Sequence, residues 1–175
     1  MITISQKSDE IDFTVRNITG FDVEPCYALS QKMGWSHRRD DWQLMLEIGH
    51  GVAAIAGEEI IATAMWWPYD EHCATLGMIM VDSALQGRGI GRRLMDAILT
   101  QTQGRALVLN ATPAGEPLYE KVGFDRCGVV QQYQGKASSV PEPVLAATER
   151  LLEGSNVRLE TLAALDHGAL KGPSP

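Results

Sequence analysis

The apolar and polar positions of this chain change period several times, and each change marks an element. "IDFTVR", Ile11 to Arg16, alternates apolar and polar residues as a half-buried strand does. Beyond Asp22, placed to cap a helix, Cys26, Leu29 and Met33 fall at helical spacing over Val23 to Met33, and Gly34 stops the run. A second helical stripe, Trp42, Leu44, Met45 and Ile48, covers Asp40 to Ile48 and ends at Gly49. "GVAAIAGEEIIATAMWW" reads as strand, tight turn at Gly57 to Glu59, and strand. "CATLGMIMV", Cys73 to Val81, is apolar almost throughout, as a central strand buried on both faces is. Gly77 inside it marks a bulge or a close backbone approach.

The second half starts with Gly87, Gly89 and Gly91 at alternate positions. Ile90, Leu94, Met95, Ile98 and Leu99 then form one apolar helical stripe. "RALVLNA" is a short buried strand, "PAGEPLYEKVGF" a short helix ending at Gly123, and "DRCGVVQQYQG" a last strand. The order β, α, α, β, β, β, α, β, α, β specifies a mixed α/β domain over residues 1–135. "KASSVPEPV" has the composition of a linker, with a helix expected at Leu145 to Leu152, so residues 136–155 form a linker and helix. Residues 156–175 contain "NVRLETLAALDHGAL", a faint echo of "TVRNITGFDVEPCYAL" near the N-terminus. The expectation is a C-terminal tail that begins a second, similar domain.

Composition narrows the function classes. The chain has 175 residues and a net charge of −7, which disfavours broad nucleic-acid binding. No apolar run reaches the roughly 18 residues of a membrane span, and "MITISQKSDE" lacks a secretory pattern, so a cytoplasmic location is expected. Cys26, Cys73 and Cys127 have no metal-ligand spacing and read as buried thiols; no metal is expected.

Three glycines in five residues, between a buried strand and a helix, are an anion-binding device. The first N–H groups of a helix are unpaired, its dipole is positive there, and glycine lets a phosphate approach. A P-loop would need Gly-Lys-Ser/Thr where this chain has Gly-Arg-Arg, and the dinucleotide fingerprint would need glycine at Arg92. Gln-x-x-Gly-x-Gly, at Gln86, Gly89 and Gly91, does fit, preceded by "IMV" and followed by "RRLM".

With "LYEKVGF" at Leu118 to Phe124, this pattern resembles the GNAT superfamily of acyl-CoA-dependent N-acetyltransferases, over about Phe13 to Tyr133. The resemblance implies the GNAT fold: a mixed, mostly antiparallel central sheet flanked by helices, with a splayed strand pair holding acyl-CoA. It implies acetyl-CoA as cofactor, with Gln86, Gly87, Arg88, Gly89, Ile90, Gly91 and Arg92 around the pyrophosphate, and Arg93 within reach of it. Ile79, Met80 and Val81 would pair with the pantetheine arm, and Asn110 would stand near it. Tyr119 would be the catalytic acid facing the sulfur, since a phenol of pKa about 10 can protonate a leaving thiolate.

The chain departs from the family where a general base is common, because Ala74 to Val81 carries no ionisable group. Asp70, Glu71, His72, Glu47 and His37 are candidates, and none is assigned. All four tryptophans fall in "GWSHRRDDW" and "MWWPYDEH", which makes Trp35, Trp66 and Asp70 the candidate substrate residues. Adjacent Trp66 and Trp67 must point to opposite faces of their strand. The expected activity is acetyl transfer to a primary amine of a small molecule by direct attack in a ternary complex. A protein or peptide amine is the second acceptor class. A non-catalytic acyl-CoA-binding module and one half of a tandem protein are the alternatives. Relatives pair through their C-terminal strands, so a homodimer is an arrangement the resemblance allows.

Overall fold

The computed structural model describes residues 11–133, 135–136, 138–139, 142–153 and 156–170. The N-terminal pattern read at residues 1–10, and the last residues of the expected tail, 171–175, lie outside the described residues. Two compact units emerge, Met1–Val130 and Gln131–Pro175.

The first unit is built on a five-stranded sheet in the order β1 to β5. The strands are β1 (Thr14–Asn17), β2 (His50–Ala56), β3 (Glu59–Pro68), β4 (Cys73–Val81) and β5 (Ala106–Leu109). β1 to β4 pair antiparallel and β5 joins β4 in parallel. Helices α1 (Val23–Lys32) and α2 (Arg39–Ile48) precede β2; α3 (Ile90–Gln101) links β4 to β5, and α4 (Glu116–Lys121) follows β5. This is the mixed, mostly antiparallel sheet flanked by helices that the resemblance implies.

Strand alternation sorts the core into two faces. Val52, Ala54, Ala62, Ala64 and Trp66 pack with Ile90, Leu94, Met95, Ile98 of α3 and Tyr119 of α4. Ala53 and Met65 pack the other way, with Cys26 and Leu29 of α1 and Trp42 of α2. β4 belongs to both. Ala74 and Leu76 face α3, yet Met78 and Met80, two and four positions on, face α1 and α2. A bulge between them inverts the parity: the pairing with β3 slips between Thr63 and Met65, and Met78 has φ +48°. The Thr63 hydroxyl holds the bulge by donating to the Met78 carbonyl at 2.9 Å.

Four expectations change. Asp22 stands at the α1 N-cap position without capping the helix; its carboxylate accepts from both Arg16 guanidinium nitrogens (2.8 Å each) and from Thr19. β1 begins at Thr14, although Ile11 and Phe13 still pack on the α3 face. No strand forms over residues 125–133, where Val129 and Val130 are exposed; Gly128 and the Gln131–Gln132 pair give no alternating apolar face to bury. No helix forms at Leu145 to Leu152, where one turn closes at Ala146 and Glu149. A short segment whose leucines stay exposed gains too little to offset helix nucleation. In the second unit the described helix is α5, Leu159–Leu170.

The cysteines also differ from expectation. Cys26 is fully buried, and burial pushes its thiol up to about 12, but Cys73 is half-buried and Cys127 exposed. Among the described residues, no helix is long and apolar enough to cross a membrane.

Candidate active site

The site begins where β4 leaves β5. Their ladder pairs Cys73–Leu76 with Ala106–Leu109, and Gly77–Val81 continue beyond it, held by β3 on the other side through Ala62 and Thr63. The ladder ends with β5 at Leu109, and the β5-facing edge of Ile79, Met80 and Val81 lies outside it. Asn110 follows β5 at the open end and is exposed.

From Val81 the chain turns through Ser83–Leu85 into the glycine loop. Gln86 closes this turn, its side-chain amide donating to the Val81 carbonyl at 3.1 Å. Gly87 (φ +77°) and Gly89 (φ +80°) adopt left-handed backbone, and a Cβ at either would meet nothing within 4 Å. Their absent side chains therefore leave the outside of the loop clear. Gly91 has another reason: a Cβ there would approach Leu118 of α4 to 3.2 Å, so this glycine seats α4 against the start of α3.

Gly89 is the N-cap of α3, with no side-chain cap, and the ladder opens with Arg93 N–H to the Gly89 carbonyl at 3.1 Å. The N–H groups of Ile90, Gly91 and Arg92 stand ahead of it, at the positive end of the helix. Beside them lies a cavity of about 430 Å³ lined by Ile11, Phe13, Arg88, Gly89, Ile90, Arg92 and Arg93. Arg92 also pairs with Asp96 one turn on, at 2.8 Å. Uncapped amides, three guanidinium groups and two absent side chains are chemistry that suits a polyanion.

Tyr119 is buried on the α3 face, its ring edge-on to Phe124 at 6.2 Å. Burial raises its pKa above the ordinary phenol value, so it carries its proton at neutral pH. Gly115 makes room for it: a Cβ there would stand 3.0 Å from the Tyr119 ring.

The candidate substrate residues do not converge. Trp35, in the α1–α2 connection, packs on the α1/α2 face and stacks at 5.4 Å on His37, which stands edge-on to buried Trp42 at 6.3 Å. Burial lowers the His37 pKa, favouring the neutral ring, and its Nδ1 is buried without a hydrogen bond. Trp66 lies on the α3 face, donating to the Gln101 side chain at 3.1 Å, with His50 and Arg105 against its ring. Gln101 is the last residue of α3, about 17 Å along the axis from Ile90. Trp67 points the opposite way and donates to the Met45 carbonyl. Asp70 belongs to the β3–β4 turn, its carboxylate accepting from the N–H groups of His72 (2.6 Å) and Cys73 (2.7 Å). That turn, with Glu71 and His72, is about 25 Å along β4 from Val81. Glu47 accepts from Gln43 on the exposed side of α2.

A second cavity, about 330 Å³, is lined by Asn17, Thr19, His50, Trp66 and Gln101 among others. Its polar groups largely satisfy one another, since Gln101 bridges Trp66 and Asn17, and the glycine loop is no part of it.

Sequence reasoning missed four residues that shape the site: Gly115, Thr63, Asp82 and Lys32. Asp82 is the one with a local signal, because an aspartate two residues before an N–H it can accept from is a common turn former.

Comparison with known proteins agrees with this geometry. Residues 47–126 match the acetyltransferase (GNAT) domain model. The uncharacterized N-acetyltransferase YitH of Bacillus subtilis is 32% identical over 115 residues, covering 63% of this chain and 40% of that protein. The chain thus matches less than half the length of that relative. The N-alpha-acetyltransferase RimI of Mycobacterium tuberculosis is 29% identical over 140 residues, covering 72% of this chain and 87% of RimI. Among solved structures, a predicted acetyltransferase from Clostridium acetobutylicum with acetyl-CoA superposes with TM-score 0.59 at 16% identity, over 70% of this chain and 96% of that one. The open edge of β4, the β4–β5 ladder and the glycine loop all lie within the residues that match the acetyltransferase (GNAT) domain.

Proposed function

We propose that this chain is an N-acetyltransferase that moves an acetyl group from acetyl-CoA to a primary amine of a small molecule, by direct attack in a ternary complex. The observation that carries the reading is the junction of two features: a strand edge outside its ladder, at Ile79 to Val81, running into an uncapped, arginine-lined helix N-terminus. The coenzyme's chemistry fits both. Its pyrophosphate is a polyanion suited to the amides from Gly87 to Arg92 and the guanidinium groups of Arg88 and Arg92. Its pantetheine arm is an extended amide chain suited to the open edge of β4, with Asn110 beside it. The Clostridium neighbour, crystallised with acetyl-CoA, supports the same coenzyme.

Acetyl-CoA supplies the activated acyl group when bound. The chain's own residues do the rest. An N–H of Ile79 to Val81 polarises the acyl oxygen, which is oxyanion-type stabilisation. Tyr119, kept protonated by burial, holds the proton that the departing thiolate takes up. No side chain is assigned as base: an amine arriving neutral attacks without one, and the proton it gives up on becoming an amide passes to solvent, from which Tyr119 regains the one it donated. Trp35, with His37 and Trp42 beside it, forms the acceptor wall on the α1/α2 side. Trp66 and Asp70 keep a weaker claim, because each is engaged at the other end of the sheet.

A protein or peptide amine is the second reading, favoured by the likeness to RimI, of which this chain covers 87%. The domain boundary at residue 135, a linker over 136–155 and the start of a second domain in 156–175 also belong to this proposal, supported by the 40% coverage of YitH. A panel of small amines, free lysine and alanine-initiated peptides, read by release of free CoA thiol, tests the acceptor class. Turnover with small amines and none with peptides is expected; the reverse replaces the first reading by the second.

A further inference from the structure

Asp82 follows β4 and precedes the glycine loop, and it is bonded on every side. Its N–H donates to the Ile61 carbonyl of β3 at 2.9 Å, and its own carbonyl accepts from Leu85 N–H at 2.8 Å. Its Oδ1 accepts from Ala84 N–H at 3.1 Å, and its Oδ2 accepts from Lys32 Nζ at 2.5 Å. The carboxylate side chain is only 9% exposed. Burial alone would favour its neutral form, but the ammonium beside it outweighs that and holds the pKa below the ordinary carboxylate value.

Lys32 lies fifty positions away in sequence, at the last turn of α1. Met33 and Gly34 follow it, and then Trp35, which the Ser30 carbonyl holds through its N–H at 2.9 Å. One charge-assisted hydrogen bond therefore ties the end of α1, and the connection carrying Trp35 and His37, to the turn from which the glycine loop departs. The glycine loop departs from this turn, and Gly87 and Gly89 present no side chain to pack.

We propose that Lys32 is a positioning residue for coenzyme binding: through Asp82 it holds the Ser83–Leu85 turn, and the glycine loop behind it, in the geometry that receives a pyrophosphate. The inference rests on the coenzyme reading above. An ion pair that merely fastened α1 would affect melting and leave the loop unchanged.

The test uses the full chain and the variants Lys32→Met, Lys32→Arg and Asp82→Asn. Acetyl-CoA affinity is measured by calorimetry, and amide hydrogen exchange is followed over residues 82–91 without ligand. Lys32→Met is expected to bind acetyl-CoA about tenfold more weakly, the worth of one charged hydrogen bond. It should also exchange faster over 83–89, by more than over the rest of the first unit. Lys32→Arg should recover most of the affinity, and Asp82→Asn should add little on top of Lys32→Met, because the two changes break one bond. Wild-type affinity and wild-type loop exchange in Lys32→Met would overturn the proposal. Failure of the reading beneath it looks different: the wild-type protein itself would then show no acetyl-CoA binding, which overturns both.

Discussion

Tyr119 concentrates the chemistry of this account in one oxygen atom. Its neighbours hold the ring: Phe124 meets it edge-on, and the missing side chain of Gly115 gives it space. Tyr119→Phe keeps that packing and removes the proton. It should lower kcat by about 100-fold or more, the usual contribution of a positioned acid, and leave coenzyme affinity unchanged. Steady-state kinetics alongside calorimetry checks both halves. Because burial raises the phenol's pKa, the alkaline loss of activity should fall above the ordinary tyrosine value, as the acid form persists to higher pH. The short helix that carries Tyr119 was legible in "LYEKVGF", since the motif is contiguous. Gly115 and Lys32 were not, because their reasons are contacts across space: a ring at 3.0 Å and a carboxylate fifty residues away.

Elements show the same division. β4 was readable to the residue, as an almost wholly apolar run between two turns. Its bulge was signalled by Gly77 alone, because a strand apolar on both faces carries no alternation whose phase could be seen to invert. The structure gives Gly77 a further reason. The Trp67 ring lies over it, 2.9 Å from where a Cβ would stand, and is pinned by its N–H to the Met45 carbonyl. Gly77→Ala should therefore overpack a ring that cannot swing away, costing about 1–3 kcal/mol. Urea unfolding followed by tryptophan fluorescence would show it as a lowered midpoint. The expected strand at Asp125 to Gly135 and the helix at Leu145 to Leu152 failed for one cause. Local propensity was present, but no apolar face found a surface on which to be buried.

At the scale of the whole first unit, two ion pairs with buried carboxylates fasten α1 at its two ends, one across six residues of sequence and the other across fifty. Arg16–Asp22 ties β1 to the start of α1, and Lys32–Asp82 ties its end to the glycine loop. Arg16 holds the Asp22 carboxyl at about 2 in the folded chain, against an ordinary 3.8. A depressed native pKa stabilises the fold fully above the ordinary value and is lost as pH falls through the native one. Stability should thus be steady down to about pH 4 and decline toward pH 2, with this pair worth about 1 kcal/mol after solvent screening. In an Asp22→Asn variant that acid-sensitive component should disappear, which urea midpoints at pH 7 and pH 3 would reveal. The general layout was legible because hydrophobic period and turn residues are local. The acceptor side was not, because Trp35, Trp66 and Asp70 look alike in sequence and occupy three separate places in the fold.

The measurement that bears most directly on this account is the thermal unfolding shift of the wild-type chain with saturating acetyl-CoA, against NAD and ATP at equal concentration. At about 100 times the dissociation constant, binding adds roughly 2.7 kcal/mol, or about 5–11 °C for a chain of this size. A shift of that order with acetyl-CoA, and little with the other two, is the predicted result. No shift with acetyl-CoA, or equal shifts with all three, would contradict the assignment of the β4 edge and the glycine loop as the coenzyme site.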